Sequence, residues 1–175
     1  MFSRKRDSKG SSILELPAAL WITLVVFLLP LMSLASITLR CTLLNVAVLE
    51  SVHAASKART FEQGSDEGAS AIELADQAFD KYVKAFPGLD ADKVKLRIIS
   101  TDIKSGAISS TNEKLKNPAD SSGFVYQVEG DCTGKIEPVF AMSRDILGDI
   151  PGLSSSMKVS FSAREMCENP QGLNR

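Results

Sequence analysis

Residues 4–21, RKRDSKGSSILELPAALW, set four basic side chains, a glycine and a glutamate directly before a long apolar run. Residues 16–39, LPAALWITLVVFLLPLMSLASITL, follow as 24 consecutive residues without a charge. A helix of that length spans about 36 Å, enough to cross the roughly 30 Å hydrocarbon core of a bilayer with some tilt. Pro30 sits near its middle, where a membrane helix tolerates it as a kink, and Trp21 falls where an interfacial ring is expected. The charge pattern gives the orientation. Arg4, Lys5, Arg6 and Lys9 against Asp7 make residues 1–10 net +3, the remainder is −4, and only Arg40 closely follows the run. The positive-inside rule then places the N-terminus in the cytoplasm and everything after about residue 41 outside it.

The whole-chain balance, 20 basic against 21 acidic residues in 175, does not point to nucleic acid. A competing reading is a cleaved secretory signal, since SLAS at 33–36 offers a small-x-small site after Ala35. The apolar region is longer than such signals need and continues past that site, which favours a retained anchor. A carboxylate at the edge of the span is the anomaly. Burying one costs several kcal/mol unless a partner neutralises it.

One arrangement supplies that partner. If the chain is cut between Gly10 and Ser11, the new α-amino group belongs to Ser11 and Glu15 becomes the fifth residue. Here the sequence resembles the class III signal of type IV pilin-like proteins: a basic leader ending in Gly, a Glu five residues on, then an apolar helix. SSILE with Pro17 close behind replaces the aromatic-led start of major pilins and is similar to TadE-like pseudopilins of tight-adherence (Flp) pilus systems. HAASKART at 53–60 and MKVSFSAREMCE at 157–168 extend the resemblance over most of the chain. It implies cleavage by a prepilin peptidase and pairing of Glu15 with the amine of a neighbouring subunit. It further implies residence in a bacterial inner membrane, contact with an inner-membrane assembly platform and other pilin subunits, and incorporation into a pilus. The alternative is an uncleaved single-span anchor presenting an extracytoplasmic binding domain.

Three segments are expected: a leader over 1–10, a membrane helix and stalk over 11–60, and an extracytoplasmic α+β domain over 61–175. The helical pattern continues to about residue 59, with Val46, Leu49, Val52, His53 and Ser56 near one face. FEQGSDEG at 61–68 breaks it. Ser70 and Glu73 form a capping box that opens a second helix, whose stripe of Ile72, Ala75, Phe79, Tyr82, Val83 and Phe86 ends at FPG. Strands are expected at 93–100, 124–132 and 157–166, with a weaker edge strand over 134–142 because of Pro138. Residues 102–123 are polar and read as a long exposed loop. The fold class is therefore α+β: a long N-terminal transmembrane helix, then a helix packed on a small antiparallel sheet, pilin-like in plan.

Cys132 and Cys167 both fall in the outer segment, where an oxidising compartment would let them pair. Both end their strands, however, so pairing needs those strands to run parallel or the chain to turn back. Cys41 reads as a small apolar residue. His53 has no clustered partners and reads as packing or surface; the acidic pairs Asp66–Glu67 and Asp90–Asp92 read as solvated turns, a weak calcium site being the other reading. No phosphate loop, His-Glu metal motif or nucleophile elbow occurs, so no enzymatic activity, cofactor or metal is expected.

Overall fold

The computed structural model describes residues 11–62, 68–85, 87–117, 119–120, 122–139 and 148–174. One continuous helical rod opens the chain: α1 (Ser11–Thr23), a π-helical turn (Leu24–Leu28) and α2 (Leu29–Ser56). It is about 65–70 Å long. Pro30 explains the wide turn. Its ring nitrogen cannot donate to the carbonyl of Val26 and its ring crowds that carbonyl, so the ladder slips to wider spacing just before the proline.

After the rod come α3 (Ala71–Val83) and five strands: β1 (Leu89–Ala91), β2 (Lys95–Asp102), β3 (Ile108–Thr111), β4 (Phe124–Ile136) and β5 (Met157–Met166). A 3-10 turn at Pro170–Asn174 closes the described chain. The capping box forms as expected: Ser70 Oγ accepts from the Glu73 amide, and Glu73 Oε2 accepts from the Ser70 amide. Two further amides at this helix start, those of Ala71 and Ile72, donate to the carbonyls of Thr60 and Phe61.

The sheet is antiparallel throughout and organised on β4, the longest strand. β5 lies along one edge of it over residues 127–136. β1 and β2 share the other edge as one interrupted strand, pairing with 134–136 and 124–131 respectively. Between them Asp92–Val94 face only Cys132 and Thr133, a bulge of one residue, with the Asp92 amide still donating to the Thr133 carbonyl. β3 pairs with the outer side of β2.

The core lies between α2, α3 and one face of this sheet. Leu44, Ala47, Val48, Ser51, Val52 and Ala55 of α2 are buried on the side of Tyr126, Val128 and Cys132 of β4, with Phe79 of α3 and Phe61 completing the cluster. The helix comes close because β4 turns glycines toward it. A Cβ on Gly130 would stand 2.6 Å from Val52 Cγ2 and 2.7 Å from Val94 Cγ1; one on Gly134 would stand 2.5 Å from Leu44 Cδ2.

Several sequence expectations need correction. The buried face of α2 is centred on Val48, and Leu49 is exposed, because the helix packs on α3 and the sheet together. Ile72 lies outward on α3, and Phe86 lies outside the described residues. Residues 102–123 are not one exposed loop. Asp102 organises a turn, accepting from the Lys104 amide (2.8 Å) and the Ser105 hydroxyl (2.7 Å), and Gly106 takes φ +70°, so the chain returns as β3. Leu115 then packs on the core and donates its amide to the Leu173 carbonyl. The expected edge strand at 134–142 is, over 134–136, the end of central β4, and Pro138 falls after it. The expected inward residues Val94, Leu96 and Ile98 are buried, Val94 from the bulge before β2, but Ile99 beside them is buried as well; the alternation of β5 (Met157, Val159, Phe161, Ala163) holds.

The C-terminal tail fastens the far end of the rod. The Glu168 amide donates to the carbonyl of Ser56, one of the orphan acceptors at the end of α2, and Leu173 is buried. Gly172 lies where an added Cβ would stand 1.9 Å from the Arg59 carbonyl oxygen. These environments rank three substitutions. Gly172→Ala meets rigid backbone, Gly130→Ala meets two stiff valines, and Gly134→Ala meets chiefly a leucine terminus that can rotate. Thermal unfolding of the full chain in detergent should fall in that order, with Gly130→Ala costing about 1–3 kcal/mol.

Candidate membrane span and its flanks

Along the rod the environment changes sharply with residue number. Leu16, Leu20, Trp21, Ile22, Val26, Phe27 and Leu31 are exposed on all sides of the helix, whereas Ser33, Ile37, Leu44 and every core residue beyond are buried by the body of the protein. Leaving these seven large apolar side chains in water would cost about 10–20 kcal/mol at roughly 1.5–3 kcal/mol each. The helix is long and apolar enough to cross a membrane. Its exposed threonines suit an apolar solvent: Thr23, Thr38 and Thr42 donate to the carbonyls of Ala19, Leu34 and Thr38, each at 2.9 Å. These hydroxyls are satisfied within the helix and need no water.

At the N-terminal end of the helix, Gly10 lies outside the described residues. Ser11 is the first residue of α1 and Glu15 lies one turn on; the side chains of both lie outside the described part. At the other end Arg40 is clamped: its Nη1 donates to the Glu137 carbonyl, and Gly88 (φ +80°) lets the guanidinium pass within 2.9 Å of where a Cβ would sit. Glu137 in turn donates its amide to the Gly88 carbonyl (3.3 Å). Arg40 thereby ties the rod to the start of β1 and the end of β4.

Charged side chains gather on the outer face of the sheet. Arg97, Glu129 and Arg164 stand directly opposite one another on β2, β4 and β5. Arg97 Nε donates to Glu129 Oε2 (2.7 Å), Arg164 Nη2 to Glu129 Oε1 (3.1 Å), and Arg97 Nη2 to Asp131 Oδ2 (2.5 Å). Such a plus–minus–plus row fixes strand register. His53 is a link between elements: Lys57 Nζ donates to its Nε2 (2.6 Å), so Nδ1–H donates to Glu165 Oε1 on β5 (2.6 Å). Asp90 is exposed on β1, opposite Lys135, and Asp92 sits in the bulge; Asp66 and Glu67 lie outside the described residues. No group of three or more His, Cys, Asp or Glu set to hold a metal occurs among the described residues.

The expected Cys132–Cys167 bridge is not made. β4 and β5 are antiparallel neighbours, Cys132 faces Phe161, and Cys167 follows β5 with its amide bound to the Tyr126 carbonyl. Six residues of strand separate the two levels, about 20 Å, far beyond disulfide reach. All three cysteines are free. Cys132 donates its thiol to the Asp92 carbonyl (3.2 Å), and burial, with the nearby Asp92 charge, pushes it up to about 11.

Comparison with known protein families, curated proteins and solved structures finds no match.

The thiol chemistry gives a direct check. Denatured without reductant, the chain should take up three alkylating groups. In the native chain, Cys132 should alkylate slowly near neutral pH. Its rate should climb about tenfold per pH unit toward 11, where an ordinary thiol has already levelled off, because only the thiolate reacts.

Proposed function

We propose that this chain is a non-enzymatic minor pilin or pseudopilin of the TadE-like kind, serving the biogenesis of a bacterial tight-adherence pilus or a related secretion system. In this reading a prepilin peptidase cuts between Gly10 and Ser11 on the cytoplasmic side, and the apolar rod then holds the protein in the cytoplasmic membrane. Assembly proceeds by contact. Apolar helices pack side by side, Glu15 meets the α-amine of a neighbouring subunit, and the outer α+β body displays a surface on an inner-membrane platform.

One observation carries the reading: the basic leader, Gly10 and Glu15 run without interruption into a helix whose apolar side chains are exposed in every direction. An ionised carboxylate at the lipid edge carries a penalty of a few kcal/mol. A bare ammonium at the same depth carries a like one, and the pair relieves both through a charge-assisted hydrogen bond. The outer body supports a display role, since it is held rigidly to the rod by the glycine contacts, Arg40 and the tail.

Intact-mass measurement of the protein recovered from its native membrane tests this. The expected start is Ser11. A start at Met1 would leave an uncleaved anchor with a binding domain, and a start at Ser36 a secreted protein. With Ser11 as the start, Glu15→Ala should still be cleaved yet be lost from assembled filaments or complexes; unchanged incorporation would remove Glu15 from the assembly step.

A further inference from the structure

The connection between β4 and β5 returns to the rod at an unexpected level. Gly152 (φ +86°) sits where an added Cβ would stand 2.8 Å from Ile37 Cδ1, and both Ile37 and Ser33, one turn deeper, are buried. Ile37 and Ser33 belong to the uncharged run 16–39. Trp21 and Arg40 are 19 residues apart, about 28 Å of helix, which matches one hydrocarbon thickness between an interfacial ring and a charged residue. With those two residues at the membrane boundaries, Ile37 lies about 4–5 Å inside the outer one. The loop packed on it lies there too.

The loop is built for that place. Its polar groups are turned on one another: Ser154 Oγ accepts from the Ile150 amide (2.8 Å) and donates to the Gly148 carbonyl (2.8 Å). The Gly152 amide donates to the Ser155 carbonyl (2.7 Å), and the Ser154 amide to the Ile150 carbonyl (3.0 Å). Ile150 of this loop is 40% exposed, and Val139, two residues beyond the Arg40 clamp, is 47% exposed. Internal satisfaction of backbone groups with apolar side chains outward is what a segment in contact with lipid requires. Asp149 on the same loop is exposed and sets the limit of depth at the headgroups.

We infer that the body of this protein rests on the outer leaflet, with the 148–153 turn and Val139 inserted at headgroup level beside the span, so that lipid is held at a second site besides the helix. This rests on reading the rod as a membrane span. The contact fixes how far the rod can rise or sink, because moving outward would expose Ile150 and Val139 and moving inward would bury Asp149.

The test uses the full chain in phosphatidylcholine vesicles containing lipids brominated either near the headgroup or near the chain end. Native Trp21 reports whether the rod is inserted. In a Trp21→Phe background, Ile150→Trp and, separately, Val139→Trp report the loop, and Ile103→Trp reports the far turn of the sheet. Headgroup-side bromine should remove most of the emission from the Ile150→Trp and Val139→Trp proteins, chain-end bromine much less, and neither should affect the Ile103→Trp protein. Slow native alkylation of Cys132 verifies that each variant is folded, and the two loop variants are independent, so one folded variant suffices. Quenched Trp21 with unquenched, water-like emission from the folded loop variants would overturn the inference alone. Unquenched Trp21 would overturn the span reading beneath it.

Discussion

The close seat of α2 on β4, made by Gly130 and Gly134, is the contact on which the rest of the architecture depends. A side chain at Gly130 would press on Val52 and Val94 and one at Gly134 on the end of Leu44, loosening the seat more at the first than at the second. Leu44, Val48 and Val52 would then lose their partners on the sheet, and α3 would lose the groove it shares with them. Packing of this density is sensitive to single methylene groups. The seat also has a directional effect. It uses the half of the rod nearer the C-terminus for the core and leaves the other half without any protein neighbour, so one helix serves two solvents.

That division explains the distribution of polar groups. On the body side they are tied across elements: Arg40 to the Glu137 carbonyl, Glu168 to the helix end, His53 to Glu165. On the exposed face of the rod, Thr23 and Thr38 are tied within the helix itself through their hydroxyls. Glu15 is the acidic residue that precedes the uncharged run in the sequence, and that position is the reason a partner amine enters the proposed reading.

Much of this was legible in the sequence because it rests on local chemistry. The uncharged run fixed the rod, the Ser70–Glu73 spacing fixed the start of α3, and strict alternation fixed β2 and β5. What was missed depends on contacts distant in sequence. The buried face of α2 shifted away from Leu49 because two neighbours, not one, cover the helix. β3 was hidden by its polar composition, although Asp102 followed by Ser105 and Gly106 is a turn signal that could have exposed it. Register decided the cysteines: both end strand-like runs, and only the antiparallel pairing of β4 with β5 shows how far apart they lie. The loop beside Ile37 gave no sequence signal at all, since nothing in IPGLSS names the helix it touches. Gly10, Ser11 and Glu15 enter the proposed reading as a sequence pattern alone, with Gly10 outside the described residues.

The π turn at Leu24–Leu28 lies in the bare half, and everything beyond Ser33 moves with the outer body. The turn is where the rod departs from α-helical hydrogen bonding, within the helix long and apolar enough to cross a membrane. About 42 Å of helix lies between it and Ser56, so a change in direction of 10° at the turn sweeps the far end through about 7 Å. A small difference in bend at this turn is therefore magnified at the far end of the rod, where the body of the protein is carried.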